Sequence, residues 1–424
     1  MVSSDAQRST REWLQTAHAT LERSLPRGRP PALLTDDLTD DAGDAIDVFA
    51  HFGRNPRQLS SLWCNLTGIA HTAQASGADS EPGSEPPDWP EFEDIWIPIH
   101  EGLQLAARIG FAERDGERLL ADCIVILPGL FGDLSALRMR DIALALRDSG
   151  RHVVALETRG FGQTGDRYPN IYYTFGALAI GDVLAVAEWL QGKPEIRETG
   201  LIGFCWSANT VLLAAWETSR RDNHLSVTDR LKPHLRGPWS GRLLRAGVLA
   251  FSPVLRFEEI VESCERPWSI LEDPVLDALQ DGIEKRMERQ GYAEISGRLR
   301  DLIQFEFDRS ELSYPRAVED SLRLLRLLPH RGKPAGDKLR DANVPVLIVQ
   351  GADDPLTSAQ NVADLLAGLD NPNVAALVLP GGGHVGFAPF ARSYFYSLIL
   401  NFFDPERGAA AVRGGIATDG SENR

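Results

Sequence analysis

The residue with the most chemistry to offer is a cysteine, in Gly203-Phe204-Cys205-Trp206-Ser207. An apolar run, Gly200-Leu201-Ile202, precedes it, and a helix-favouring stretch, Ala208 to Glu217, follows. Strand, sharp turn and helix together form a nucleophile elbow, which holds its central residue on a strained turn with the side chain exposed. The usual pattern is G-x-S-x-G; here a thiol stands at the nucleophile position and Ser207 replaces the closing glycine. Taken alone, a cysteine is more often a small buried residue. On an elbow it points to acyl transfer, because thiols gain acidity at helix N-termini and beside protonated histidines. The acyl-enzyme would be a thioester, more reactive than an oxygen ester. That suits hydrolysis of activated acyl groups, or their transfer to an amine, alcohol or thiol, better than attack on an unactivated amide.

A nucleophile needs a base, and the base needs an orienting group. Val349-Gln350-Gly351-Ala352-Asp353-Asp354-Pro355 ends one apolar run, and Pro380-Gly381-Gly382-Gly383-His384-Val385-Gly386 follows another. The order nucleophile, acid, histidine assigns Cys205 as nucleophile, His384 as base and acid, and Asp354 as orienter. Asp353, its neighbour, stays open as the acid on sequence alone. The oxyanion of a tetrahedral intermediate needs donors. One is the N–H of Trp206, the residue after the nucleophile. The other belongs to Pro128-Gly129-Leu130-Phe131-Gly132, with Leu130 preferred and Phe131 second.

These residues must be positioned by alternating strands and helices. Strands are expected at Cys123–Leu127, His152–Leu156, Leu201–Phe204, Ala246–Phe251, Val344–Val349 and Val374–Leu379, with helices at Ser135–Asp148 and Phe175–Gln191 between them. Ile95–Ile99 and Leu103–Phe111 read as two further short strands. The alternation predicts a mainly parallel sheet covered by helices on both faces. It stops over 253–341, where Phe257–Cys264, Pro274–Arg289 and Ala317–Leu328 favour helix. An insertion there would lie over the carboxyl ends of the strands, so it is expected to be a lid. The expected division is an N-terminal helical extension over 1–74, a linker or surface loop over 75–90, core over 91–252 and 342–405, the lid between, and a disordered tail over 406–424.

Composition bounds the function. The 424 residues carry a net charge of −16, which lacks the basic footprint of a nucleic-acid partner. No apolar run approaches the ~18 residues of a membrane span. The polar start, Met1 to Thr10, lacks the apolar core of a signal peptide. Four cysteines, Cys64, Cys123, Cys205 and Cys264, are too widely spaced for a zinc pattern or a disulfide framework, so a cytoplasmic setting is expected. Gly160-Phe161-Gly162-Gln163-Thr164-Gly165 matches G-x-G-x-x-G, but Asp166-Arg167-Tyr168-Pro169 reads as a loop where a dinucleotide site needs a helix. No cofactor and no metal are implied. The expected partner is a small acyl substrate, apolar or carrier-linked; a homodimer through the N-terminal helices is left open.

Four segments resemble the α/β-hydrolase superfamily, and within it the branch of the bacterial YheT-like hydrolases and the plant embryogenesis-associated proteins. Pro128–Gly132 is similar to the branch's H-G-L-x-G loop, and Glu157-Thr158-Arg159-Gly160-Phe161-Gly162 to its N-x-R-G-x-G turn. Gly203–Asn209 aligns with G-F-S-L-G-G-N, and Ala352–Pro355 and Gly382–Phe387 match its acid and histidine segments. The resemblance spans about residues 92 to 404 and implies an α/β-hydrolase fold and a Ser-His-Asp hydrolase acting on acyl esters. The chain departs at Cys205, at Ser207 and Ala208, and at Pro128. Dienelactone hydrolases and polyhydroxyalkanoate synthases look similar in placing cysteine at the elbow. The expected function is therefore cysteine-dependent hydrolysis of an ester, lactone or thioester. An acyltransferase or cyclase, or a non-catalytic protein binding a ligand or partner, are the alternatives.

Overall fold

A computed structural model describes residues 9–25, 32–34, 68–74, 88–265 and 299–404, apart from 131, 238 and 240–242. Residues 75–87 of the linker expected over 75–90, the helix over Pro274–Arg289 and the tail from 406 lie outside the described residues.

Period-two alternation of apolar residues builds the centre. In β6 (Ala121–Leu127), Cys123, Val125 and Leu127 face one layer while Ile124 and Ile126 face the other. Both faces are buried, and from Cys123 to Leu127 the strand is apolar without a break. Buried apolar residues likewise face both layers from β7 (His152–Leu156), β8 (Ile196–Phe204), β9 (Gly247–Phe251), β10 (Val346–Gly351) and β11 (Val374–Leu379). These six run parallel. A hairpin, β2 (Phe92–His100) and β3 (Leu103–Gly110), adds to β7 antiparallel, and the short β1 (Ala32–Leu34) adds antiparallel to β11. The sheet order is β1-β11-β10-β9-β8-β6-β7-β3-β2, and a two-residue ribbon, β4 (Glu113–Arg114) with β5 (Glu117–Arg118), stands apart. The chain was expected to be helical before residue 75; β1 corrects that, because β11 otherwise leaves an unpaired edge.

Among the described residues, the helices in chain order are α1 (Thr10–Leu21), α2 (68–74), α3 (Leu137–Asp148), α4 (Gly162–Arg167), α5 (Ala179–Gln191), α6 (Trp206–Glu217), α7 (Lys232–Leu235), α8 (Phe257–Glu265), α9 (Leu299–Arg309), α10 (Ala317–Leu325), α11 (Ala359–Ala367) and α12 (Phe387–Phe402). Helices α5 and α6 cover one face, α3 and α12 the other. Helix α1 starts with a capping box, Ser9 and Glu12 each bonding the other's backbone N–H. It packs on its own chain: Trp13 meets Phe402 edge-to-face at 5.4 Å, and Arg11 donates to the carbonyls of Leu369 and Val374.

Two local expectations need correction. Helix α5 begins at Ala179, not Phe175, because Thr174 and Phe175 take positive φ and turn the chain inward. The loop expected from Asp166 starts only at Tyr168: α4 opens at Gly162 and runs through Arg167. Its first turn receives the Glu157 carboxylate, which accepts from the Thr164 N–H at 3.0 Å. A Cβ on Gly162 would sit 2.1 Å from Glu157 Oε1, so the carboxylate occupies the place where an anion would rest on a helix N-terminus. Burial pushes Glu157 up to about 7.

Helices α8, α9 and α10 form the insertion between β9 and β10, and it is tied to the core by buried polar bonds. The Asn209 side chain of α6 donates to the carbonyls of Val254 and Leu325. Glu306 of α9 accepts from the Thr174 N–H at 2.9 Å. Arg159, after β7, grips Asp182 of α5 with two bonds of 2.6 and 2.7 Å and Glu311 with a third of 2.6 Å. His234 also bonds Glu311; with Arg159 it outweighs burial and holds that carboxyl down at about 2.

Candidate active site

Strand β6 has β7 on one side and β8 on the other, so the chains leaving β6 and β8 part at the reversal of strand order. Open sheets of this kind bind ligands at that crevice, outside the carboxyl ends. Cys205 stands there, between Phe204 of β8 and Trp206 of α6. Its φ of 54° and ψ of −114° are strained for a residue with a side chain, a cost on the order of 1–3 kcal/mol. The surroundings enforce it. Cys205 N–H is bonded to the Phe251 carbonyl at 2.9 Å, and a Cβ on Gly203 would lie 2.4 Å from the Ser207 carbonyl oxygen. Ser207 and Ala208, where glycines stand in the motif, are both buried without blocking the turn.

The loop after β6 crosses directly over the cysteine. A Cβ on Gly129 would touch Cys205 Cβ at 3.4 Å, and Gly132 N–H closes the turn on the Gly129 carbonyl at 3.1 Å. Leu130 is half-buried in this turn; Phe131 lies outside the described residues. Trp206 opens α6, and its indole is locked by a bond to the Phe175 carbonyl and by Phe257 of the insertion, edge-to-face at 4.4 Å.

His384 and Asp354 meet at the ends of β11 and β10. His384 Nδ1 lies 2.9 Å from Asp354 Oδ2 and 3.1 Å from Oδ1. The Asp354 carboxylate also accepts from the N–H groups of Leu356 and Thr357, the Thr357 hydroxyl and the Gln350 amide. Burial would raise its pKa, but the His384 charge and these donors prevail and hold it below the usual carboxylate value. Asp353 turns elsewhere: its Oδ1 accepts from the Gly383 N–H at 2.8 Å and its Oδ2 faces His71 Nδ1 at 3.3 Å.

The His384 ring is buried, which lowers its pKa; Asp354 and Cys205 outweigh burial and raise it to about 10. Cys205 is thus near enough to act on the ring electrostatically. Nε2, the nitrogen turned from Asp354, is buried without a well-formed hydrogen bond among the described residues. This arrangement can hold a proton at Nε2 and pass it to or from an atom bound at the sulfur.

Sequence reasoning missed three neighbours. Burial pushes the Tyr173 phenol up, and the Cys205 charge adds to the effect. Ser252 Oγ accepts from the Val385 N–H at 3.3 Å, and Thr72 Oγ1 from the His384 N–H at 2.8 Å. None sits in a motif; only the glycine run before His384 hints that other backbone must approach closely there.

Several solved structures are similar to this chain. They include the Pyrococcus furiosus esterase Pf2001 (16% identity, TM-score 0.48, covering 76% of this chain and 98% of that one) and Est1E from Butyrivibrio proteoclasticus (14%, 0.43, 73% and 98%). The Pyrococcus horikoshii acylaminoacyl peptidase also matches (14%, 0.44, 74% and 41%). Comparison with curated proteins gives no match. The family model described as "Alpha/beta hydrolase family" matches residues 124–393, well over half of the chain, from β6 through the histidine loop into α12. The chain belongs to the alpha/beta hydrolase family.

Proposed function

We propose that this protein is a cysteine-dependent acyl hydrolase that cleaves an ester, lactone or thioester through an acyl-cysteine intermediate. In the first step the Cys205 thiol gives its proton to His384 Nε2, the sulfur attacks the acyl carbon and the carbonyl electrons move to oxygen. The N–H groups of Trp206 and of Leu130 or Phe131 receive that oxyanion. Collapse expels the leaving group, which takes the proton held on His384 Nε2. Water then gives a proton to Nε2 and attacks the thioester; the acid departs and the sulfur regains its negative charge. Asp354 keeps the imidazole oriented and charged. One observation carries the reading: a histidine clamped by Asp354 through Nδ1, its buried Nε2 without a well-formed hydrogen bond, and its ring within electrostatic reach of a cysteine on a strained elbow. The motifs that resemble the YheT-like branch support an acyl substrate.

Intact-mass spectrometry after mixing with a panel of acyl thioesters tests this. A mass gain confined to the Cys205 peptide, decaying as free acid appears, is expected. Turnover without any adduct on Cys205, even in rapidly quenched samples, would refute the covalent mechanism. Adding amine, alcohol or thiol acceptors separates hydrolysis from transfer.

The pH response follows from the charges. Asp354 favours the imidazolium, so Asp354→Asn lowers the His384 pKa and the proton donor is lost at lower pH. The alkaline limb of the acylation rate should move down by a pH unit or more, and kcat should fall about 10²–10⁴-fold. Stopped-flow pH profiles of both proteins check it; an unmoved limb would remove Asp354 from the orienting role.

A further inference from the structure

The loop that carries His384 is held from behind by α2, a piece of the N-terminal extension more than 300 residues away in sequence. The contact is backbone against backbone. A Cβ on Gly383 would lie 2.2 Å from the Gly68 carbonyl oxygen, one on Gly386 2.5 Å from that of His71, and one on Gly68 1.8 Å from that of Asp353. The glycines are needed because the helix presses onto the loop with no side chain between.

Two polar clamps add to this fit. Thr72 is buried, and its hydroxyl donates to the Gly68 carbonyl at 2.7 Å, which leaves the oxygen's lone pairs to accept the His384 N–H. Beside it, Asp353 bridges His71 and the Gly383 N–H. The ring of His71 in turn packs edge-to-face on Phe390 at 5.3 Å. The loop needs such support. Gly382, Gly383 and Val385 have φ of 119°, 51° and 57°, and for a β-branched valine the last is a real outlier. Left alone, the loop would relax to lower-energy backbone and carry the imidazole away from Cys205.

We infer that α2 is a positioning element of the active site: Thr72, supported by the His71–Asp353 pair, fixes the His384 backbone so that the imidazole stays at the sulfur. The two adjacent acids then divide the work, Asp354 orienting the ring and Asp353 the loop. This rests on the triad reading above.

The test uses the full chain and a hydrolysed acyl thioester as probe. Thr72→Val keeps the shape but removes the acceptor. It should lower kcat about 10–100-fold, the scale of an ångström-sized misplacement, while KM stays within threefold. Thr72→Ser, which restores the oxygen, should return kcat to within threefold of the wild type. Wild-type kcat in Thr72→Val, or equal damage in Thr72→Ser, would overturn the inference. Should Thr72→Val fail to fold, His71→Gln replaces it: a kcat loss of about 3–10-fold at unchanged KM is expected, and wild-type kcat would overturn the inference equally. Failure of the triad reading shows up separately, as turnover surviving in Cys205→Ala.

Discussion

Cys205→Ala is expected to lose at least about 10⁴-fold in kcat while the fold stays intact, because covalent catalysis ends with the nucleophile and only binding and the oxyanion donors persist. The side chain is half-buried and small, so circular dichroism and the thermal midpoint should change little. The variant also has an electrostatic signature. Cys205 is among the groups that raise the His384 pKa, so its removal should let the imidazole titrate at lower pH, as read by histidine NMR. Turnover at the wild-type rate, or an unmoved His384 titration, would separate the sulfur from the histidine. Cys205→Ser should keep weak esterase activity, since a hydroxyl at the elbow is the usual form of this motif. Its complete inactivity would mean that the site works only with a thiolate.

Arg159→Met is expected to give the largest loss of stability. Arg159 is 1% exposed and Asp182 2%, and they share two parallel bonds. Removing one partner of a buried pair leaves the other as an uncompensated charge, at a cost of about 3–5 kcal/mol. Arg236 stands 3.6 Å from Asp182 and would recover only part of this. At no more than about 2–4 °C per kcal/mol, the scale for domains of about 150–250 residues, the thermal midpoint should fall by up to about 6–20 °C. Arg159→Lys should rescue little, because a point charge cannot reproduce the planar fork. Arg159 also bonds Glu311 of the insertion, so proteolysis near Glu311 should speed up in Arg159→Met even below its midpoint. A midpoint within 2 °C of wild type would show that Arg236 substitutes fully.

Much of the core was legible because its signals are local. Apolar runs of five to seven residues, separated by helical periodicity, specify strands buried on both faces, and a parallel sheet follows from the crossovers they need. The elbow could be read for the same reason: strand, Gly-x-Cys-x-small and helix lie within one stretch. Boundaries slipped where a distant partner decided them. Phe175 read as the start of α5, yet the Glu306 carboxylate receives the N–H of the preceding Thr174 and the chain turns inward there with positive φ. Asp166 and Arg167 read as loop, yet they close a helix whose N-terminus, at Gly162, is completed by the Glu157 side chain. Near residue 32, pairing with β11 overrode the helical trend.

The order of Cys205, Asp354 and His384 and the strand ends that carry them were fixed in the linear chain, because each lies beside its own strand and short-range patterning places strands. Which of two neighbouring acids faces the imidazole, and what holds the histidine loop in its strained form, were settled only in three dimensions. Asp353 and Asp354 differ by one step of backbone direction, and Thr72 meets His384 across a closure of more than 300 residues. Contacts of that range leave no periodicity in sequence; they exist only once the sheet has brought its distant edges together.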